Sequence, residues 1–301
     1  RTLAVAPSMP YSVDFETDEH LNWILANEGQ TNYFVVGSDK LGVKSGSKAL
    51  YITDDGSLNH YSIGATSSAY AYRILSFEPG QYRFSYSWKC NGEYTDAYSA
   101  DYARVYLSPV TRDIVAGRRT STFMDDTRGC IMLDGDKGLN VSSRWNDAVV
   151  DVVFTDSVQY NLVIEWYNNA MGGSQTPFAI DDIKVEKIAC PMPQSISVLY
   201  VEDTQACVQV NSVVNATAYR YRLSTSGSAD DYISSGSSAT SQFIVAGLAP
   251  DTQYHLFVSA QCDADATSDY QSVTFTTEHA AASVPYSTDF ASAAENTNWF
   301  I

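Results

Sequence analysis

The sequence predicts an all-β chain of two consecutive sandwiches, and three observations carry that prediction. Apolar residues recur with a period of two, clusters of Gly, Asn, Asp and Ser interrupt the runs, and long stretches of helical periodicity are absent. Tyr82, Phe84, Tyr86 and Trp88 fall on one face of an extended segment, and Gln81, Arg83, Ser85 and Ser87 on the other. Leu162, Ile164 and Trp166 alternate with Asn161, Val163 and Glu165 in the same way. Thr53 to Ser57 and Asn168 to Gly173 have turn composition. A two-sheet antiparallel sandwich over residues 9–188 accounts for these features.

A long-range repeat sets the organisation. Pro10-Tyr11-Ser12-Val13-Asp14-Phe15 returns as Pro285-Tyr286-Ser287-Thr288-Asp289-Phe290, about 275 residues later, and Asn22-Trp23 returns as Asn298-Trp299. The intervening chain is therefore expected to be one full period: a first module over 9–188, a second over 189–277, and the truncated start of another first module over 278–301.

Composition narrows the function classes. With 45% hydrophobic and 13% aromatic residues, the chain has enough apolar surface to build cores. A net charge of -17 opposes a phosphate backbone, so nucleic acid is an unlikely partner on charge grounds. No apolar run in the fragment approaches the ~20 residues of a spanning helix. The five cysteines show no C-x-x-C pair that would point to zinc or dithiol chemistry, and an odd count leaves at least one thiol free or paired with another chain. Four histidines stand outside any protease or triad pattern, and no Gly-rich phosphate loop occurs. A non-catalytic role follows as the expectation.

Four stretches in order give the first module a resemblance. They are Pro10 to Phe15 with Asn22-Trp23, Ser45 to Ile52, Pro79 to Phe84, and Phe178 to Val185. Together they resemble the jelly-roll module of Bacteroidetes adhesins, the cleaved-adhesin domains of gingipains, with distant likeness to MAM domains. The resemblance implies a calcium-stabilised jelly roll with an adhesive or carbohydrate-binding role. In the second module, Gly247-Leu248-Ala249-Pro250-Asp251-Thr252-Gln253-Tyr254, followed by Leu256, Val258 and Phe275-Thr276-Thr277, resembles a fibronectin type III domain, an immunoglobulin-like sandwich. In that family the Tyr254 position makes the tyrosine corner, its hydroxyl tied to the preceding turn. The early-strand Trp common in the family is replaced near Val210. Cys190 and Cys262 would lie at one pole of such a sandwich, which permits a disulfide without requiring one.

Candidate chemistry centres on carboxylates and aromatics. Asp14 and Glu16 are expected on the polar face of the first strand, because Val13 and Phe15 must point inward. Ile180, Ile183 and Val185 break strict alternation at Asp181 and Asp182, so a β-bulge is expected there. First and last strands of a jelly roll are usually neighbours, which would bring Asp14, Glu16, Asp181 and Asp182 together with loop carbonyls as hard oxygen ligands for calcium. A solvated acidic edge that discourages strand pairing explains the same residues. The run from Asp134 to Asn140 has calcium-like spacing but lacks the bidentate Glu of an EF-hand, and reads as an acidic turn. Tyr94, Tyr98 and Trp145 are candidate ligand contacts, since aromatic faces stack on sugar rings. The reading as a whole is an extracellular or bacterial cell-surface recognition module for a glycan or host protein, with the second domain as spacer. The rival reading is an accessory region of a secreted peptidase or glycoside hydrolase.

Overall fold

The computed structural model describes residues 5–94, 99–119, 129–135, 138–264, 266–280 and 287. The chain divides into two compact units, Arg1–Ile188 and Ala189–Ile301. Of the region expected to begin another module, 278–301, only 278–280 and 287 are described; the rest of that expectation lies outside the described residues.

The first unit contains β1 (Tyr11–Val13), β2 (Ile24–Ala26), β3 (Tyr33–Gly37), β4 (Ala49–Thr53), β5 (Ser67–Phe77), β6 (Gly80–Cys90), β7 (Glu93–Tyr94), β8 (Ser99–Pro109), β9 (Ile131–Met132), β10 (Ser142–Phe154), β11 (Val158–Asn168) and β12 (Ala179–Lys187). A 3-10 turn, Asp18–Asn22, follows β1. One sheet runs β10-β6-β12-β4-β3 with β1 also on β12, and the other runs β2-β5-β11-β8-β7 with β9 on β8. The chain changes sheet at most connections, which is jelly-roll wiring.

Period-two alternation places the core between the sheets. Phe84, Tyr86, Ile180, Ile183 and Val185 from one sheet pack with Ala69, Ala71, Val105, Leu162, Ile164 and Trp166 from the other. At one end, Phe77 stacks on Phe154 at 4.3 Å between ring centroids, with Tyr82 edge-on to Phe77 at 5.1 Å. Such pairs contribute about 0.5–1.5 kcal/mol each beyond their burial.

The alternation misleads on β11. Val163, Glu165 and Asn161, on the face opposite the core, are also buried. Val163 joins Tyr70, Tyr106 and Ala26 in a second apolar cluster, against which Ile114, Cys130 and Met132 pack. The long connection between β8 and β10 thus covers this face, and Glu165 is accommodated there by the hydroxyls of Tyr70 and Tyr106, each 3.2 Å away. A buried carboxylate needs such donors to offset lost hydration.

The second unit contains β13 (Ile196–Val201), β14 (Gln205–Val210), β15 (Ala218–Ser224), β16 (Ser234–Ser238), β17 (Gln242–Ala246), β18 (Gln253–Gln261) and β19 (Gln271–Thr276). A three-stranded sheet, β13-β14-β17, is accompanied by a four-stranded one, β16-β15-β18-β19, to give a seven-strand sandwich of fibronectin type III pattern. Ala249 N donates to Tyr254 Oη at 2.9 Å, the corner expected from the sequence. Val210 is fully buried where the family carries its Trp, in a core built with Val208, Tyr219, Leu256 and Val258. Cys190 and Cys262 are joined in a disulfide with their Cα atoms 5.6 Å apart. Cys90, Cys130 and Cys207 are free thiols.

Candidate functional site

Two places in the first unit gather polar side chains. The first lies on the edge of β12. Ala179 and Ile180 pair with β4, whereas Ile183 to Val185 pair with β1, so β4 and β1 share one edge of β12. Between them the register slips at Asp181 and Asp182, and Asp182 adopts φ +52°. This is the bulge expected from the broken alternation, and β1 and β12 are neighbours as expected.

The carboxylates do not all converge. β1 ends at Val13, and Phe15, although fully buried, takes a left-handed φ of +62°. That backbone turn breaks the strand, so Asp14 and Glu16 do not share a strand face. Asp14 is exposed and caps the amide of Glu16 at 3.1 Å. Glu16 turns to the loop before β4, where its Oε1 accepts from the amides of Ser47 (2.7 Å) and Lys48 (2.6 Å), and its Oε2 from the Ser47 hydroxyl (2.6 Å). These bonds lower its pKa, the Ser47 hydroxyl contributing most. Gly46 makes the approach possible, since a Cβ there would lie 2.5 Å from Glu16 Oε1.

Asp181 is buried and accepts from the amides of Lys44 (3.2 Å) and Ser45 (3.1 Å) through Oδ2, and from Asp182 N (2.9 Å) through Oδ1. Burial nevertheless raises its pKa. Asp182 takes the Ser45 hydroxyl at 2.9 Å. Lys44 Nζ lies 2.7 Å from Asp147, 3.9 Å from Asp182, and against the Ser87 hydroxyl. Glu16, Asp181 and Asp182 therefore clasp one loop, 44–48, from both sides. Among the described residues no three acidic, His or Cys side chains group closely enough to hold a metal by themselves. A calcium ion at the clasp would need loop carbonyls to complete its shell. Three carboxylates around one loop suit a hard dication in charge; Asp14 stands apart from them.

The second place is an open groove of about 540 Å³ at one end of the sandwich. Asn91, Gly92, Glu93, Val141, Ser143, Gly173 and Ser174 line it. Backbone bonds brace the walls: Ser174 N to Gly92 O (3.0 Å), Val141 N to Asn91 O (2.8 Å) and Asn91 N to Thr176 O (3.0 Å). The Asn140 amide adds a bond to Glu93 O at 2.7 Å.

Asp101 lies beneath this groove, fully buried. Its Oδ2 accepts from Tyr61 Oη at 2.7 Å and its Oδ1 from Asn169 N at 2.9 Å. Burial raises its pKa to about 6, against the opposing effects of those two donors. The folded-state value exceeds that of the unfolded chain, so this carboxyl's stabilising contribution is complete below about pH 4 and is lost as pH rises through about 6. Relative to Asp101→Asn, the protein is expected to lose about 1–2 kcal/mol of stability between pH 4 and pH 7. Urea unfolding of both proteins across that range measures it, and parallel pH profiles would refute it.

Of the three aromatic candidates only Trp145 has a described side chain. Tyr98 lies outside the described residues, and of Tyr94 only the backbone is described, paired with Ser99. Trp145 sits half-buried where β10 shifts register against β6, with Lys89 Nζ 5.6 Å from its ring centroid; it does not line the groove. Of the calcium-like run, Asp136 and Lys137 lie outside the described residues, and its first member is held in an internal ion pair. Asp134 is buried and meets Arg104 through two bonds, 2.6 and 3.0 Å. Sequence reasoning missed the groove because Asn91, Gly92, Ser143 and Ser174 carry no motif; the glycine and serine content of two turns was the available signal.

Among the described residues no helix is long and apolar enough to cross a membrane. No family model and no curated protein matches the chain. Among solved structures it is similar to the fn3 domain of human collagen α-1(XX) chain at 17% identity, over 31% of this chain and 90% of that one, with a TM-score of 0.27. It is similar to FN3tt at 19% identity, over 30% and 95%, with a TM-score of 0.26. The glycoside hydrolase domain of Endo-D from Streptococcus pneumoniae R6 aligns over 84% of this chain but only 37% of its own, at 15% identity and a TM-score of 0.33. Scores this low carry no functional argument, and the assignment as tandem all-β sandwiches, the second of fibronectin type III pattern, stands on strand pairing and register.

Proposed function

We propose that the chain is a non-catalytic, extracellular or cell-surface recognition segment, in which the jelly roll binds a glycan or host protein through its loops and the fibronectin type III unit is a spacer. The observation that carries this reading is the braced, open groove at the loop end of the first sandwich. The carboxyls with raised pKa, Asp101, Asp134 and Asp181, have buried side chains engaged by neighbouring donors, an arrangement suited to holding loops in place. A disulfide in the second unit fits an oxidising compartment. Glycan arrays and matrix-protein pull-downs, run with calcium supplied, test the proposal: reproducible capture of either class supports it, and blanks in both count against it.

Calcium belongs to the same proposal. Glu16, Asp181 and Asp182 with carbonyls of loop 44–48 would hold it, and its role would be to fix the junction of β1, β4 and β12. A metal that binds only the folded state adds stability by mass action. A chelator is therefore expected to lower the thermal midpoint of the first unit, and an unchanged midpoint would remove the ion.

A further inference from the structure

Resting on the recognition reading, we infer that the groove between residues 91–93, 141–143 and 173–174 takes a neutral, polyhydroxylated saccharide. Its polar groups carry the inference. The Glu93 carboxylate and the hydroxyls of Ser143 and Ser174 have no hydrogen-bond partner among the described residues, and all three residues line the groove. A carboxylate and two hydroxyls lining one groove offer acceptors and adaptable donors, which is what vicinal sugar hydroxyls satisfy. Val141, 65% exposed and lining the same groove, offers an apolar surface to the C–H face of a ring.

The floor is fixed before any ligand arrives. Gly173 lies directly on the Asp101–Tyr61 pair, because a Cβ there would fall 2.0 Å from Tyr61 Oη and 2.4 Å from Asp101 Oδ2. A Cβ on Gly92 would fall 2.2 Å from Asp101 O. Both glycines have positive φ, +126° and +55°, so the backbone of the floor depends on them twice over. Asp101 is thus a positioning residue: its carboxylate holds Asn169 N and the Tyr61 hydroxyl, and so fixes the turn that carries Ser174. Such preorganisation lowers the ordering cost of binding.

Charge and shape select among ligands. Among the described residues Glu93 is the single ionisable one lining the groove and no Lys or Arg lines it, and the chain carries a net charge of -17, all of which disfavour sialylated or sulfated glycans. Among the described residues the lining apart from Val141 is polar or glycine, without the apolar pocket that anchors a protein hot spot.

The test uses the full chain on a printed array of neutral hexose and N-acetylhexosamine oligosaccharides beside sialylated and sulfated ones, followed by calorimetry with the strongest printed sugar. Neutral sugars are expected to bind. Glu93→Gln, which keeps size but removes charge, and Ser143→Trp, which fills the groove from an exposed strand position, are each expected to weaken binding at least tenfold with unchanged thermal midpoints. Neutral binding that survives Ser143→Trp would overturn the groove assignment, as would binding confined to acidic sugars or to matrix proteins, while leaving the recognition reading intact. Blanks on every probe would remove the recognition reading itself.

Discussion

Replacing Asp134 by Ala is expected to lower the unfolding free energy of the first sandwich by about 3–5 kcal/mol, because it removes the two-bond carboxylate partner of a buried guanidinium. Arg104 Nε and Nη2 meet the two Asp134 oxygens, and Nη2 also donates to Gly135 O at 2.9 Å. Asp134 Oδ2 additionally accepts from Val105 N at 3.0 Å, so the pair ties the segment after β9 to the middle of β8. Side-chain exposures of 5% for Arg104 and 0% for Asp134 leave little water to solvate either charge once its partner is gone. Arg104→Met alone should be similarly damaging. The double variant Arg104→Met, Asp134→Leu removes both charges together and should recover much of the loss, since an apolar replacement of a buried pair is often nearly neutral. Urea unfolding of the four proteins closes the cycle. A double variant no better than the singles would mean that the pair's value lies in its bonds to Gly135 O and Val105 N.

Asp134 also shows how the sequence informs and where it stops. The alternation on β6, the slip at Asp181, the neighbouring of β1 and β12, and the Tyr254 corner were all legible, because each is a local consequence of period, bulge or turn chemistry. The fate of each carboxylate was not. Asp134 belongs to a string with calcium-like spacing, yet its partner Arg104 is thirty residues away on another strand. Glu16 follows Asp14 by two residues, which in a strand means a shared face, but the left-handed backbone at Phe15 sends one to loop 44–48 and leaves the other on its own turn. A buried aromatic gives no sequence sign that its φ is positive. Glu165 looked like a solvent-facing residue because the long connection that covers it has no periodicity of its own. The groove was obscured for a related reason: its floor is glycine and its walls are serine and asparagine, residues that signal turns wherever they occur.

Breaking the Cys190–Cys262 disulfide should cost the second sandwich about 4 kcal/mol, and should leave the first unaffected. The bridge closes a loop with a sequence separation of 72 residues, and in the chain-entropy description a loop of that length restricts the unfolded ensemble by about that amount. It ties the entry to β13 to the end of β18, and Cys190 and Cys262 pack against the core containing Val208, Tyr219 and Leu256. Cys262→Ser breaks the bridge without a reductant, and reduction of the wild type is its control, since Cys90, Cys130 and Cys207 are already thiols. With Trp299→Phe made in every protein compared, near-ultraviolet and intrinsic fluorescence probes resolve the two units during urea unfolding, since the other four of the five tryptophans precede residue 189. The tyrosine-reported transition of the second unit should move to lower urea in Cys262→Ser and in reduced wild type alike, with the tryptophan transition in place. If oxidised and reduced proteins unfold together, the unfolded ensemble is already compact enough that the bridge constrains nothing, and the case that an oxidising compartment supports this fold loses its physical basis.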